Sequence, residues 1–168
     1  MSISNKRLTV SPHHHAVVFL VGMRVNKWWM LPILWGVGAS MARMVRELCA
    51  DPDSGLLNYE SYSGRTTLMI QYWRSEEALL AYAKNKSQAH APAWRQWIQR
   101  WGLGGAVGIW HETYRIEPGN YECVYHHMPR FGLGAAVPRI PATGALKTAA
   151  GRLRAGAEAG SSPSASTT

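Results

Sequence analysis

The sequence predicts an α+β fold in which helices cover one side of an antiparallel sheet. Segments typical of strands and helices follow one another as strand, helix, two strands, helix and strand. Hydrophobic residues make up 46% of the chain and charged residues 17%, a balance that supplies a core and excludes wholesale disorder. The 168 residues are near the usual size of a single domain.

The first half of the predicted fold is a strand, a helix and a hairpin. Ala16 to Val25 is rich in β-branched residues and continuously apolar, which predicts a strand covered on both sides. From Ile33 to Cys49 apolar residues recur at helical spacing, and the Asp-Pro-Asp-Ser-Gly run that follows ends the helix. Leu56 to Tyr62 and Thr66 to Trp73 are predicted strands, joined by a short loop that contains Gly64.

The second half is a helix in two pieces and a long strand. Ser75 precedes two glutamates and can cap a helix that continues to about Asn85. A second helical piece begins near Pro92, which is favourable at a first helical position. Val107 to Ile116 is the last long strand, and Tyr121 to Tyr125 is a short additional one.

This order of elements is the split βαβ, or ferredoxin-like, plan, in which both helices pack on one face of a four-stranded sheet. The other face of the sheet then needs to be covered. We therefore expect a homodimer whose two sheets meet, with a cavity on the uncovered side of each sheet.

The chain is predicted to be one domain between two loose ends. Residues 1–12 are expected to be a flexible lead-in, residues 13–138 the α+β domain, and residues 139–168 a disordered tail rich in Ala, Gly and Ser. Much of the formal charge of +8 lies in these ends, so the domain is only mildly basic and no nucleic-acid partner is expected.

Cysteine content and hydropathy favour a cytoplasmic protein. Cys49 and Cys123 are too few for a disulfide framework or a four-thiolate zinc site. The uncharged stretch from Trp28 to Ala42 is fifteen residues long, whereas a spanning helix needs ~20. We expect a buried helix preceded by an aromatic loop there rather than membrane contact, and a helix docked at a membrane surface is the alternative.

Strand alternation divides the polar candidates of the last long strand between two faces. His111 falls on one face, and Glu112 falls on the other with Trp110 and Tyr114. Two roles are open for the His-Glu pair, either satisfied polar groups within the sheet or a proton acceptor for catalysis. The second histidine of an H-E-x-x-H zinc motif is absent, because Arg115 stands in its place, so no metal site is expected here.

His90 is a further candidate for a base or a ligand. It precedes Pro92 and the second helical piece, where the helix dipole disfavours the imidazolium form and keeps a nitrogen lone pair available. A surface histidine that caps the helix is the alternative.

Five sequence blocks together resemble one known family. They are Val18 to Asn26, Gln71 to Ser75, Tyr82-Ala83, His90 to Trp94, and Gly108 to Tyr114. In combination they resemble small monooxygenase-like proteins of bacteria and of fungal secondary-metabolite clusters. One departure is visible, because His127 precedes Met128 and Pro129 where that family usually has Asn.

That family is similar in turn to the antibiotic-biosynthesis monooxygenases, whose fold is a dimeric α+β barrel. In cofactor-free members an electron-rich aromatic substrate is deprotonated and then reacts with oxygen. In haem-degrading members a histidine late in the second helical segment ligates iron, and an aromatic residue earlier on it bends the macrocycle. Tyr82 and His90 stand at similar places, so haem is an alternative. A non-catalytic ligand-binding accessory protein is a third reading.

The resulting hypothesis is a monooxygenase-like oxidoreductase of secondary metabolism that needs no cofactor. Its substrates would be molecular oxygen and an apolar aromatic, polyketide-derived or terpenoid-derived compound. His111, Glu112 and His90 are the candidates for proton transfer or ligation. The candidates for the cavity wall are Tyr72, Trp73, Tyr82, Trp110 and Tyr114.

Overall fold

The computed structural model describes residues 3–27, 29, 31–84 and 105–161, with backbone alone at residues 31–38 and 40. The strands are β1 (Leu8–Val10), β2 (Ala16–Val25), β3 (Leu56–Tyr62), β4 (Leu68–Trp73), β5 (Val107–Ile116) and β6 (Arg139–Pro141). The helices are α1 (Leu31–Ala50), α2 (Glu76–Lys84), α3 (Leu133–Ala136) and α4 (Ala149–Gly160), with a 3₁₀ turn over Gly144–Lys147.

The main sheet has the strand order β3-β4-β2-β5, and each neighbouring pair is antiparallel. Since β2, α1, β3, β4, α2 and β5 follow one another along the chain, this is the ferredoxin-like plan, and the predicted α+β fold class is confirmed. β2 pairs with β5 without a shift, from Ala16 opposite Ile116 to Val25 opposite Val107. This uninterrupted register fixes which side chains share a face.

Alternation along β2 gives the sheet two faces, which we call the helix face and the outer face. Val17 on β2 and Trp73 on β4 pack with Leu48 of α1 and Leu79 of α2. The odd-numbered residues of β2 therefore point toward the helices and form the helix face. Its even-numbered residues, beginning with Ala16, form the outer face.

One end of the outer face is covered by the C-terminal part of the chain. Ala16 packs there with Val10 of β1 and with the buried side chains Tyr125, Leu133 and Val137. β1 pairs antiparallel with β6 in a second, two-stranded sheet. The N-terminal strand and the C-terminal segment are thus held together over the sheet.

The ordered C-terminal segment corrects the predicted domain boundaries. Residues 139–161 form β6, the 3₁₀ turn and α4 where a disordered tail was expected, and β1 lies within the expected flexible lead-in. Residues 162–168 lie outside the described part of the chain. The predicted strand over Tyr121 to Tyr125 reduces to a bridge between Leu8 and Tyr125.

An ion pair and small residues hold α4 in place without a large apolar stripe. Arg152 is 4% exposed, and its guanidinium Nη2 and Nε lie 2.5 and 2.7 Å from the Glu122 carboxylate. It also donates to the carbonyls of Leu146 and Lys147. Gly156 lies so close to the backbone of Pro118 and Gly119, in the turn that follows β5, that a Cβ at this position would clash with it. An ion pair and close packing of small residues need no periodic apolar side chains. The composition of this segment therefore resembles that of a disordered tail.

No helix within the described residues is both long and apolar enough to cross a membrane. The predicted helical piece that begins near Pro92 lies outside the described residues.

We predict that Arg152→Met destabilises the protein by about 1–3 kcal/mol, because Glu122 and two carbonyls lose their donor. Arg154→Met is the matched control, since Arg154 is exposed on the same helix. Urea unfolding of the two variants measures the difference. Equal stability of the two variants would show that the contacts of Arg152 do not stabilise the protein.

Candidate functional site

The structure divides the predicted site residues between the two faces of the sheet. Trp73 and His111 lie on the helix face, where Tyr82 of α2 packs against the sheet. The outer face carries the other four described candidates, Tyr72, Trp110, Glu112 and Tyr114. His90 lies outside the described residues. The predicted set therefore does not form one site, and His111 and Glu112 lie on opposite sides of β5.

His111 stands over an apolar part of the helix face. It is the cross-strand neighbour of Val21, and its ring centroid lies 5.7 Å from that of Phe19. Phe19 and Val21 are half-buried, whereas His111 and Thr113 are exposed. An accessible imidazole beside an apolar floor can accept a proton from a bound apolar molecule.

A buried polar cluster on the same face was not predicted from the sequence. Trp73 is 0% exposed, and its indole N–H donates to Oε1 of Gln71 at 3.0 Å. Gln71 is 5% exposed, and its Nε2 lies 3.3 Å from Sδ of Met69. The only signal in the sequence is that these three residues alternate along β4, which places them on one side of the strand.

Tyr82 extends this cluster toward α2. Its ring centroid lies 5.7 Å from that of Trp73. Burial, with a smaller contribution from Glu47, raises the pKa of Tyr82 to about 12. The phenol is therefore protonated at neutral pH, so Tyr82 can donate a hydrogen bond but cannot serve as the base.

Glu112 is engaged on the outer face. It accepts a hydrogen bond of 2.7 Å from the hydroxyl of Tyr114, and this bond raises the pKa of that phenol. Both side chains are exposed. Glu112 is thus separated by the sheet from the apolar floor beside His111.

Trp110 and Tyr72 mark the two ends of the outer face. The indole nitrogen of Trp110 lies beside Gly22, is buried, and has no hydrogen-bond partner among the described residues. The hydroxyl of Tyr72 faces Gly132 of the C-terminal segment. Burial, and after it the charge of Glu60, raises the pKa of Tyr72. The C-terminal segment covers the outer face at Tyr72. At the other end Trp110 is only half-buried, and we call this the half-open end.

A polar cleft of about 260 Å³ lies at the end of the sheet near the start of α2. Two of its lining residues, Arg115 and Glu76, form an ion pair with nitrogen and oxygen 2.6 Å apart. Its lining carries charges of both signs and includes none of the predicted site residues. Within the described residues, no group of three His, Cys, Asp or Glu side chains could hold a metal ion.

A family model described as Monooxygenase af470-like matches residues 16–133. The chain belongs to this family. The match begins with β2 and ends at the start of α3, so it contains the whole main sheet and both faces. β1, β6 and α4 lie outside the part matched to the Monooxygenase af470-like family.

Several solved structures are similar to the chain at low identity. A conserved protein of unknown function from Bacteroides thetaiotaomicron, described as a possible oxidoreductase, is 16% identical, with a TM-score of 0.41 over 67% of this chain and 99% of the other. A conserved protein from Methanosarcina mazei is 12% identical, with a TM-score of 0.44 over 60% and 93%. Protein SO0527 from Shewanella oneidensis is 14% identical, with a TM-score of 0.39 over 68% and 94%. No curated protein matches the chain.

We predict that Tyr82 remains a phenol between pH 10.0, the ordinary value, and its raised pKa of about 12. Because folding raises this pKa, the protonated phenol of Tyr82 contributes to the free energy of unfolding. This contribution is full below pH 10.0 and is lost as the pH rises through about 12. Phenolate absorbance of the wild type and of Tyr82→Phe, compared across this range, measures it. The difference in phenolate absorbance between the wild type and Tyr82→Phe reports Tyr82 alone. If this difference appeared near pH 10.0, the raised pKa of Tyr82 would be contradicted.

Proposed function

We propose that this member of the Monooxygenase af470-like family oxygenates an apolar aromatic substrate with molecular oxygen and without a cofactor. The substrate lies on the helix face, over Phe19 and Val21, with an acidic C–H group toward His111. The observation that carries the proposal is the accessible imidazole of His111 beside this apolar floor. Family membership supports the reaction class.

His111 serves as the base in this proposal. It removes a proton from a carbon that is conjugated through an aromatic ring with a carbonyl or phenol oxygen, and the aromatic system delocalises the resulting charge. The carbanion passes its electrons to oxygen directly, so the protein contributes a base, orientation and an apolar surrounding. Glu112 lies on the other face of the sheet and takes no part.

Anthrone is a suitable test compound because it combines an aromatic ketone with an acidic methylene group. Its oxygenation forms one carbon–oxygen double bond at that methylene carbon. The O–O bond breaks, one oxygen atom stays on carbon, and the other leaves as water with both methylene hydrogens. One anthrone and one oxygen molecule thus give one anthraquinone and one water.

The haem alternative depends on His90, which lies outside the described residues. The assay therefore includes purified protein before and after addition of haemin. Oxygen uptake that requires haemin would replace the cofactor-free proposal. Saturable anthrone binding without oxygen uptake would favour the non-catalytic accessory protein.

A homodimer in which the half-open ends of two outer faces meet is part of the proposal. Leu20, Leu68 and Ile70 lie there, half-buried, on the same face as Trp110 and the exposed Glu112, which is the cross-strand neighbour of Leu20. Covering them removes apolar surface from water.

We predict that His111→Ala lowers the rate of anthrone-dependent oxygen uptake by about 10²- to 10⁴-fold, as expected for loss of a general base. His126→Ala is the matched control, because His126 is an exposed histidine outside the main sheet. An oxygen electrode and detection of anthraquinone measure the rate. An unchanged rate in a folded His111→Ala protein would remove this residue from the reaction.

We predict that the wild type sediments as a dimer at micromolar concentration and that Leu20→Glu sediments as a monomer. The introduced carboxylate would be covered beside the carboxylate of Glu112, its cross-strand neighbour, so two like charges would be buried in the contact. Ser61→Glu is the control, because Ser61 is exposed on the edge strand β3. A monomeric wild type would contradict the proposed assembly.

A further inference from the structure

We propose that the carboxamide of Gln71 is the hydrogen-bond donor that holds an acceptor oxygen of the substrate on the helix face. The inference rests on the proposed function and extends it, because it states which feature of the substrate is recognised. The substrate class becomes an aromatic compound that carries a carbonyl or phenolate oxygen on the side opposite its acidic C–H group.

The orientation of the amide follows from its buried neighbour. An indole N–H only donates, so the atom of Gln71 that faces Trp73 at 3.0 Å must be the carbonyl oxygen Oε1. The NH₂ group then points the opposite way along β4, toward Met69. Trp73 is fully buried and cannot turn away, so the direction of the amide is fixed.

The donors of this amide are under-used within the described structure. The NH₂ group carries two N–H bonds, and its acceptor among the described residues is the thioether of Met69, which is a weak one. Gln71 is 5% exposed, so bulk water does not supply the missing acceptor freely. A buried donor without a good acceptor costs free energy, and a substrate oxygen would recover it.

The register places this donor across β2 from the proposed base and two residues along the sheet, because Gln71 is in the row of Phe19 and Thr113. Gln71 pairs with Phe19, and Met69 pairs with Val21, which is in turn the neighbour of His111. β4 and β5 flank β2, so their backbones are about 10 Å apart. The NH₂ group points along β4 toward Met69, which is in the row of His111, so it lies on the side of Gln71 nearer to the base.

The role given to Gln71 is recognition of oxygen, which distinguishes it from a residue that only supports the fold. Anthrone and 9,10-dihydroanthracene form a matched pair of ligands, because a CH₂ group replaces the carbonyl of anthrone. A residue that merely shapes the floor would affect the binding of both compounds equally. A donor to the carbonyl would affect the binding of anthrone alone.

The test is a tryptophan-fluorescence titration of the full chain with each compound under nitrogen, so that no turnover is needed. We expect the wild type to bind anthrone about three- to tenfold more tightly than dihydroanthracene, as one hydrogen bond allows. Gln71→Met keeps the side-chain length, removes the amide, and should bring the ratio of the two dissociation constants close to one. Asn58→Leu removes an amide on the outer face and should leave the ratio unchanged.

Trp73→Phe provides a second variant in case Gln71→Met does not unfold cooperatively. It keeps the amide of Gln71 but removes the N–H that orients it, so the preference for anthrone should fall in this variant as well. If either folded variant kept the wild-type ratio of the two dissociation constants, the role of Gln71 would be overturned. The proposed function would still stand, because oxygen uptake by the wild type tests it separately. Failure of the wild type to bind either compound would overturn both this inference and the proposed substrate class.

Discussion

The antiparallel register of β2 between β4 and β5 is the constraint on which the rest of this structure depends. β2 is hydrogen-bonded on both sides, and ten consecutive pairs tie it to β5. A slip of one residue would exchange the two faces of the strand, and with them the helix core and the outer core. The positions of His111, Gln71 and Trp73 on one face all follow from this register.

The two faces differ in how they are covered, and this difference separates their roles. The helix face combines an apolar floor with a histidine and a buried amide, which are the groups assigned to the substrate in the proposed function. The outer face is covered at one end by the chain's own C-terminal segment and remains half-open at the other. In the proposed dimer a second copy would therefore meet only the half-open end.

The buried hydrogen bond between Trp73 and Gln71 couples stability to recognition. Trp73 contributes a large apolar side chain to the core, and its single polar atom is satisfied by the Gln71 carbonyl. The same bond orients the NH₂ group of Gln71. The packing that stabilises the domain thus also fixes the direction of a donor, without a flexible loop in between.

The sequence by itself determined the fold class and the bounds of β2, β3 and β5, because each is a long run of strand-forming residues ended by turn residues. It also placed His111 and Glu112 on opposite faces, since alternation requires it. It did not determine which face of β4 meets the helices, because both faces of that strand are apolar. Gln71 consequently looked like one polar residue in an apolar strand.

Only the tertiary structure decided the position of Gln71 and the order of the C-terminal segment. The pairing of Gln71 with Phe19 places the Gln71 amide on the helix face. These two residues are more than fifty positions apart, so their pairing cannot be inferred from the local sequence pattern. The segment after β5 is rich in small residues, and its order depends on the Arg152–Glu122 pair and on the pairing of β1 with β6. Such contacts join residues far apart in the chain, so composition alone could not reveal them.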